Sequence, residues 1–370
     1  TYREIIGKKI KKVSSDPSSG ADGEMWYNST TGTLRGPAIL EAWSSGSPLV
    51  TENYGAGGAG TQTAFLYWGG DKYPAPARTN ETYEYNGSGW AAGGDYIGSV
   101  SYVGGCGTQT AALGAGGFTG TATPTASAEY NGTSWTAGNS MSQQRMNTGA
   151  SFIGIQTAAM VVGGDQYPST PRSLTTCEEY DGTNWGSGGA YPVVIQNTGQ
   201  GGPQTAGWAA GGLSDPAPGT PNTVRDTFNL YDGTNWTAST TLPGAMMRMG
   251  SAGTQTATLY FGGTAAGPTP VATTFGYDGS SWSAKPSLAT ARQSIAGGGV
   301  SSTSTAAIGA GGYAPSKTTA ATEEWNSSTN AVTAAAWAAG GALNTGRMNI
   351  SMGGTQTASI LVGGHISPGG

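Results

Sequence analysis

Seven times along the chain a short string built on Thr-Gln-Thr-Ala is followed, at a fixed offset, by a pair of glycines. Gly60-Thr61-Gln62-Thr63-Ala64 returns around Gln109, Gln156, Gln204, Gln255 and Gln356, and in altered form as Ser302-Thr303-Ser304-Thr305-Ala306. Successive copies lie 47 to 52 residues apart, and the Gly-Gly pair always begins seven residues after the Gln or its equivalent, from Gly69-Gly70 to Gly363-Gly364. A period of this size requires stacked units, each burying its faces against its neighbours.

Between the Gln and the Gly pair the pattern has period two, which is the signal of a strand. Ala stands two residues after the Gln position in every copy, and a large apolar residue (Leu66, Leu113, Met160, Trp208, Leu259, Ile308, Ile360) stands four after it. Each copy therefore holds a strand with one face reserved for close packing. Downstream recurs Tyr-(Asn/Asp)-Gly-(Ser/Thr)-x-Trp, at 85–90, 130–135, 180–185, 231–236 and 277–282. Asn-Gly or Asp-Gly between strand formers predicts a tight hairpin with a type I′ turn. The segment after each Trp leads back to the next Thr-Gln-Thr-Ala strand, so a repeat has four strands in about 50 residues, which suits a β-propeller blade.

The seventh copy ends at Gly363-Gly364-His365 without its Tyr and Trp strands, while Trp26-Tyr27-Asn28-Ser29-Thr30 leading to Trp43 parallels Trp325-Asn326-Ser327-Ser328-Thr329 leading to Trp337. This predicts a seven-bladed ring of residues 23–370 in which about 23–46 complete the last blade beside 343–370, with 1–22 as a separate N-terminal arm. A ring so closed leaves no free sheet edge.

Composition supports an all-β fold. Gly and Pro, 65 and 19 residues, approach low-complexity levels, but 11 Trp, 17 Tyr and 6 Phe are too much aromatic surface for a disordered chain. Only 10% of residues are charged, which argues against long ion-paired surface helices. The net charge of −5 speaks against a nucleic-acid partner. No apolar run approaches a membrane span, and the N-terminal residues lack the apolar stretch of a secretory signal. Cys106 and Cys177 are too few for a disulfide framework and read as free structural thiols.

An apolar strand ending in Gly-Gly, followed by a spaced Tyr and Trp, resembles the kelch repeat. The wording Gly-Thr-Gln-Thr-Ala with Tyr-Asp-Gly-Thr-Asn-Trp, after Ile5-Ile6-Gly7-Lys8-Lys9-Ile10 and Met25-Trp26-Tyr27-Asn28-Ser29, is similar to kelch-like virion structural proteins of marine tailed phages, including phages of cyanobacteria. The resemblance covers essentially the whole chain. It implies a virion location and a structural or host-attachment role without a catalytic apparatus, cofactor or metal.

Candidate sites follow from the departures from strict repetition. The repeated Gln side chains either form a ligand-holding ring or bond the backbone of their own or a neighbouring blade, as buried amides must. Arg145, Arg248, Arg292 and Arg347 recur ten to twelve residues after a Trp, and either rim the channel to bind carboxylates or cap carbonyls at strand ends. The segments after Gly-Gly vary in length and carry Asp71, Tyr73, Asp165, Tyr167 and Tyr313. Variable aromatic loops on a rigid scaffold are where a sugar or protein would bind. In the arm, Ile6, Lys8, Lys9, Lys11 and Lys12 suggest docking on an acidic or strand-edge surface of another virion protein.

Enzymatic readings find little support. A copper oxidase centre, known in some kelch-type propellers, needs histidines, and His365 is the single one. Glu178-Glu179 and Glu323-Glu324 are the carboxylate pairs a glycoside hydrolase would need, but their place before the Tyr or Trp of an outer strand suggests acids facing solvent. Two functions remain: a tail fibre or tail-associated adhesin, oligomeric on the particle, that presents its loops to a host-surface glycan or protein; or a capsid-decoration or tail-assembly module with no host ligand.

Overall fold

The computed structural model describes residues 11–14, 26–30, 33–72, 77–149, 151–169, 172–216, 221–265, 267, 269–299, 301–333, 351–355 and 358–362. The chain divides into two compact units: Ile39–Ser328, and Thr1–Ala38 with Thr329–Gly370. The protein is all-β, built largely of four-stranded antiparallel sheets, one for each of the first five repeats.

In the first repeat, strand Gly57–Thr61 turns through Gln62 and Thr63 into Ala64–Trp68, followed by Thr82–Tyr85 and Trp90–Ala92. Registers Gly57↔Trp68, Phe65↔Tyr85 and Tyr85↔Trp90 fix the order. The same order starts at Gly104–Thr108, Ile153–Ile155, Gly199–Gly201 and Gly250–Thr254. The second strand is buried on both faces, as in Ala64–Trp68 and Ala158–Val162, whereas the sequence assigns it a single packing face. A strand covered on both sides belongs to a sheet held between two others.

The hydrophobic cores lie between consecutive sheets. Leu66 and Trp68 pack with Tyr130 and Trp135 of the second repeat, Ile153 and Met160 with Ala209 and Tyr231, and Phe65 and Tyr67 with Ile308 and Ala310 of the sixth. In five repeats the Tyr and Trp of the outer hairpin stack on each other with ring centroids 4.9–5.1 Å apart.

The outer turn is not a two-residue type I′ turn. Tyr85 pairs directly with Trp90, leaving four residues in the loop, and only the Gly is left-handed, at φ 85 to 94° in the five copies. The reason is the preceding Asn or Asp, whose side-chain oxygen accepts the N–H groups two and three residues on: Asn86 from Ser88 and Gly89, Asp181 from Thr183 and Asn184. Such an Asx turn competes successfully with the tighter hairpin.

In the sixth repeat, strands Ala296–Gly297, Ala306–Ala310 and Thr322–Thr333 are joined by Thr33–Ser45 from the N-terminal part of the chain. Of the segment expected to complete the last repeat, Thr33–Ser45 thus lies beside the sixth repeat, while residues 334–350 and 363–370 lie outside the described residues. Trp43 occupies the outer-strand tryptophan position of the sixth sheet, packing on Phe261 at 4.7 Å and Trp325 at 5.6 Å and donating its indole N–H to Thr274 Oγ1 at 2.9 Å. Trp135 donates to Thr82 Oγ1 in the same way. Trp337 lies outside the described residues.

In the other unit, Lys11–Val13 runs parallel to Trp26–Asn28, which pairs with the start of Thr33–Ser45. The strand edge met by this part of the arm thus belongs to its own chain. Lys12 is exposed; Ile6, Lys8 and Lys9 lie outside the described residues, and of Lys11 only the backbone is described. From the seventh copy, Ser351–Thr355 and Ala358–Val362 form a two-stranded sheet.

Two outcomes are expected. A Cβ at Gly105 would lie 2.2 Å from Leu113 O and 2.4 Å from the Trp68 ring, whereas one at Gly244 meets nothing within 4 Å. Gly105→Ala should cost about 3 kcal/mol in urea unfolding, and Gly244→Ala should stay within about 0.5 kcal/mol of the parent. Backbone N–H groups hold the exposed Asp181, Asp232 and Asp278 carboxyls below the ordinary value. They therefore stabilise the turns fully above pH ~3.9, and that contribution is lost only as the pH falls through the lowered values. A carboxyl NMR titration should find all three titrating below the ordinary aspartate value of about 3.9.

Candidate functional site

The Gln residues sit at the turn between the first two strands, not on the strand itself, and they bond backbone as one of the two sequence readings expects. Gln109 Nε2 donates to Phe65 O and Tyr85 O of the first repeat, at 3.2 and 2.8 Å. Gln156, Gln204 and Gln255 do the same to the repeat before each, and Gln62 donates to Trp325 O of the sixth. The carbonyl ends of one sheet thereby saturate the amide of the next.

The Glu pairs are also structural. Glu84, Glu129, Glu179 and Glu324 accept the hydroxyl protons of Tyr130, Tyr180, Tyr231 and Tyr85, at 2.5–2.8 Å and always across to the following sheet or from the sixth to the first. Burial and the adjacent carboxylates push these phenols up. Glu178 and Glu323 are buried and face Arg145 and Arg292. The solvent-facing reading of these acids is therefore corrected.

Arg145 and Arg292 are fully buried. Arg145 Nη1 donates to Gly163 O at 2.6 Å and Nη2 to Glu178; Arg292 Nη1 donates to Gly311 O at 2.8 Å and Nη2 to Glu323 at 3.0 Å. Each guanidinium thus caps the carbonyl of the first Gly of a Gly-Gly pair, where the strand ends and no sheet partner remains. Neither rims a channel. Arg347 lies outside the described residues.

Arg248 is different, and the reason is its place in the backbone. It follows its Trp by twelve residues rather than ten, and it belongs to a set made of Gly55 and the five non-glycine residues of positive φ among the described residues, Tyr102, Asn147, Asn197, Arg248 and Ser294, all with φ between 53 and 65°. Their main chains form a closed hydrogen-bond cycle. Tyr102 N–H donates to Gly55 O, Asn147 to Tyr102, Asn197 to Asn147, Arg248 to Asn197, Ser294 to Arg248, and Gly55 to Ser294, at 2.5–3.3 Å. These six residues surround a pocket, with Ala56, Val103, Met249 and Ile295 as its apolar lining. Each left-handed residue places its innermost strand at the same level, and the cycle satisfies backbone groups that no sheet ladder reaches.

A segment of the sixth repeat lies across the innermost strands of four others. Gly297 O accepts from Ser151 Oγ of the third repeat at 2.8 Å, Gly299 O from Gly253 N–H of the fifth at 3.2 Å, and Ser301 and Ser302 Oγ donate to Gly107 O and Gly60 O of the second and first. The third and sixth repeats are two and three residues longer here than the others.

The variable loops emerge at the pocket end. The residue just before each left-handed position pairs with the residue just after Gly-Gly, as in Ser101↔Phe118, Met146↔Asp165, Gln293↔Tyr313 and Tyr54↔Asp71. Tyr313 joins Tyr54 and Tyr102, with ring centroids 5.6 and 6.0 Å from Tyr54. Asp71, Asp165 and Tyr167 come together in a second cluster. Arg78 lies 4.7 Å over Phe118, Phe118 meets Tyr167 edge-on at 5.8 Å, and Arg172 lies 5.6 Å over Tyr167. Buried Asp71 and Asp165 pair with Arg78 and Arg172; burial pushes the Asp165 carboxyl up, with Arg172 opposing. Tyr167 is 41% exposed. Tyr73 lies outside the described residues.

Sequence reasoning missed the left-handed cycle because five different residue types fill its six positions. A signal exists in spacing: four of them stand seven residues before the Gln. Cys106 and Cys177 are free and buried, and burial pushes the Cys177 thiol up to about 11. Compared with known proteins, the chain matches no family model, and no curated protein is similar to it at a significant level.

Removing a buried guanidinium leaves its glutamate uncompensated. Arg145→Met should cost about 3–5 kcal/mol, and the double change Arg145→Met with Glu178→Met should recover most of that loss in chemical denaturation.

Proposed function

We propose that residues 39–328 form a β-propeller of six blades, with the loop end of the ring as a non-enzymatic recognition surface displayed on a virion. Six blades, where the repeat count leads to an expectation of seven, are supported by Thr33–Ser45 lying as outer strand of the sixth repeat. The observation that carries the reading is that every variable loop described above emerges beside the same pocket, on a scaffold whose sheets are tied by buried polar contacts at each junction. Rigid scaffolding with variable aromatic loops favours recognition, and the two ring clusters supply flat apolar area with hydroxyl and guanidinium edges. On the resemblance of its Gly-Thr-Gln-Thr-Ala and Tyr-Asp-Gly-Thr-Asn-Trp wording to kelch-like phage virion proteins, we read the surface as that of a tail fibre or tail-associated adhesin that meets a host-surface glycan or protein. Many copies on one particle would raise the avidity of a weak site.

Binding of labelled protein to host cells and to their extracted surface polysaccharide tests this. Tyr167→Ala and Tyr313→Ala should each weaken binding roughly tenfold or more, as truncation of a central aromatic contact does. Asn131→Asp, at the opposite end of its sheet where Asp181 occupies the equivalent turn position, should change nothing. Absence of binding, with particle assembly dependent on the chain, would favour a capsid-decoration or tail-assembly module instead.

A further inference from the structure

We infer that the pocket inside the left-handed cycle binds the carboxylate of an acidic sugar through Arg248, an assignment that rests on the recognition role proposed above. Three observations converge on this residue. First, Arg248 holds φ 57°, a conformation that disfavours any residue with a Cβ and that glycine adopts freely. The first repeat has glycine there, Gly55, so the backbone does not require arginine. A strained residue retained where glycine would serve points to a use for its side chain.

Second, Arg248 has no carboxylate partner among the described residues, whereas Arg145 and Arg292 each face a buried glutamate. Its Nη1 reaches only Gln293 Oε1, at a long 3.4 Å, and its enclosed Nε has no hydrogen-bond partner. No acidic side chain lines the pocket. A guanidinium on a partly enclosed wall retains two donor directions that match a carboxylate in bidentate geometry.

Third, the rest of the rim suits a sugar better than an acidic peptide. Asn147 Oδ1 is buried without a partner, and the Asn147 and Asn197 amides converge on Gln196 Oε1 at 3.4 and 3.2 Å. Amides that both donate and accept match vicinal hydroxyls. Tyr102 on the rim continues into the Tyr54 and Tyr313 rings, a surface on which the apolar face of a pyranose can lie.

Glucuronate against glucose, which lacks only the carboxylate, is the direct test, read by calorimetry or ligand-observed NMR with the intact protein. The expected result is saturable glucuronate binding at least about tenfold tighter than glucose, weakened roughly ten- to a hundredfold in Arg248→Gly, the range for one charge-assisted contact. Because glycine suits this backbone, Arg248→Gly should melt no lower than the parent, so lost binding cannot be ascribed to unfolding. Lys285→Gln, which removes one positive charge from an outer strand, should bind glucuronate normally. Equal binding of the two sugars, undiminished binding in Arg248→Gly, or preference for a glutamate-containing peptide over glucuronate would overturn the assignment. Loss of cell binding in Tyr167→Ala with no sugar preference would sink this inference while leaving the recognition role standing. Glucuronate binding without any cell binding would sink that role alone.

Discussion

The constraint on which the 39–328 unit depends is how closely its innermost strands approach one another. Gly57–Thr61, Gly104–Thr108 and Gly250–Thr254 touch neighbouring main chains at distances that leave no room for a Cβ: one at Gly58 would stand 2.9 Å from Gly297 O, one at Gly201 3.0 Å from Gly253 O. Backbone packed against backbone brings polar groups together without side chains to separate them, so each N–H and C=O must find a partner. The cycle through Gly55, Tyr102, Asn147, Asn197, Arg248 and Ser294 supplies those partners at one end.

Outward from that centre the junctions between sheets repeat a single solution. A glutamine amide closes on two carbonyls of the preceding sheet, a tyrosine hydroxyl on its glutamate, and at Trp135 and Trp185 the indole on a threonine or serine, whereas Trp236 uses Gly189 O. Aromatic rings fill the space between these contacts. The polar groups are confined to strand ends and outer edges, where desolvation is partial, and the fully buried second strands are apolar. Where a charge is buried, as at Arg145 and Arg292, a glutamate and several carbonyls accompany it.

The pocket end inverts this economy. The five left-handed non-glycine residues among those described and an arginine without a carboxylate are gathered within one small region. Local violations of the rules obeyed elsewhere in a chain concentrate where a protein does something besides fold.

The sequence by itself determined the repeat, its strands and the buried role of the residue four after each Gln, because hydrophobic period and a fixed Gly-Gly offset are local properties of the chain. For the Gln amides it left two uses, a ligand ring or backbone partners, and the contacts across neighbouring sheets decided between them. It did not reveal which sheet would receive Thr33–Ser45. Residues 23–46 resemble the sixth repeat's own ending, and the choice was made by where Trp43 could pack against Phe261 and Trp325. Nor did the sequence separate Arg248 from Arg145 and Arg292, although a two-residue difference in spacing marked it. Whether an arginine is sealed against a glutamate or left on a pocket wall depends on contacts between residues far apart in the chain, and only the tertiary structure brings those together.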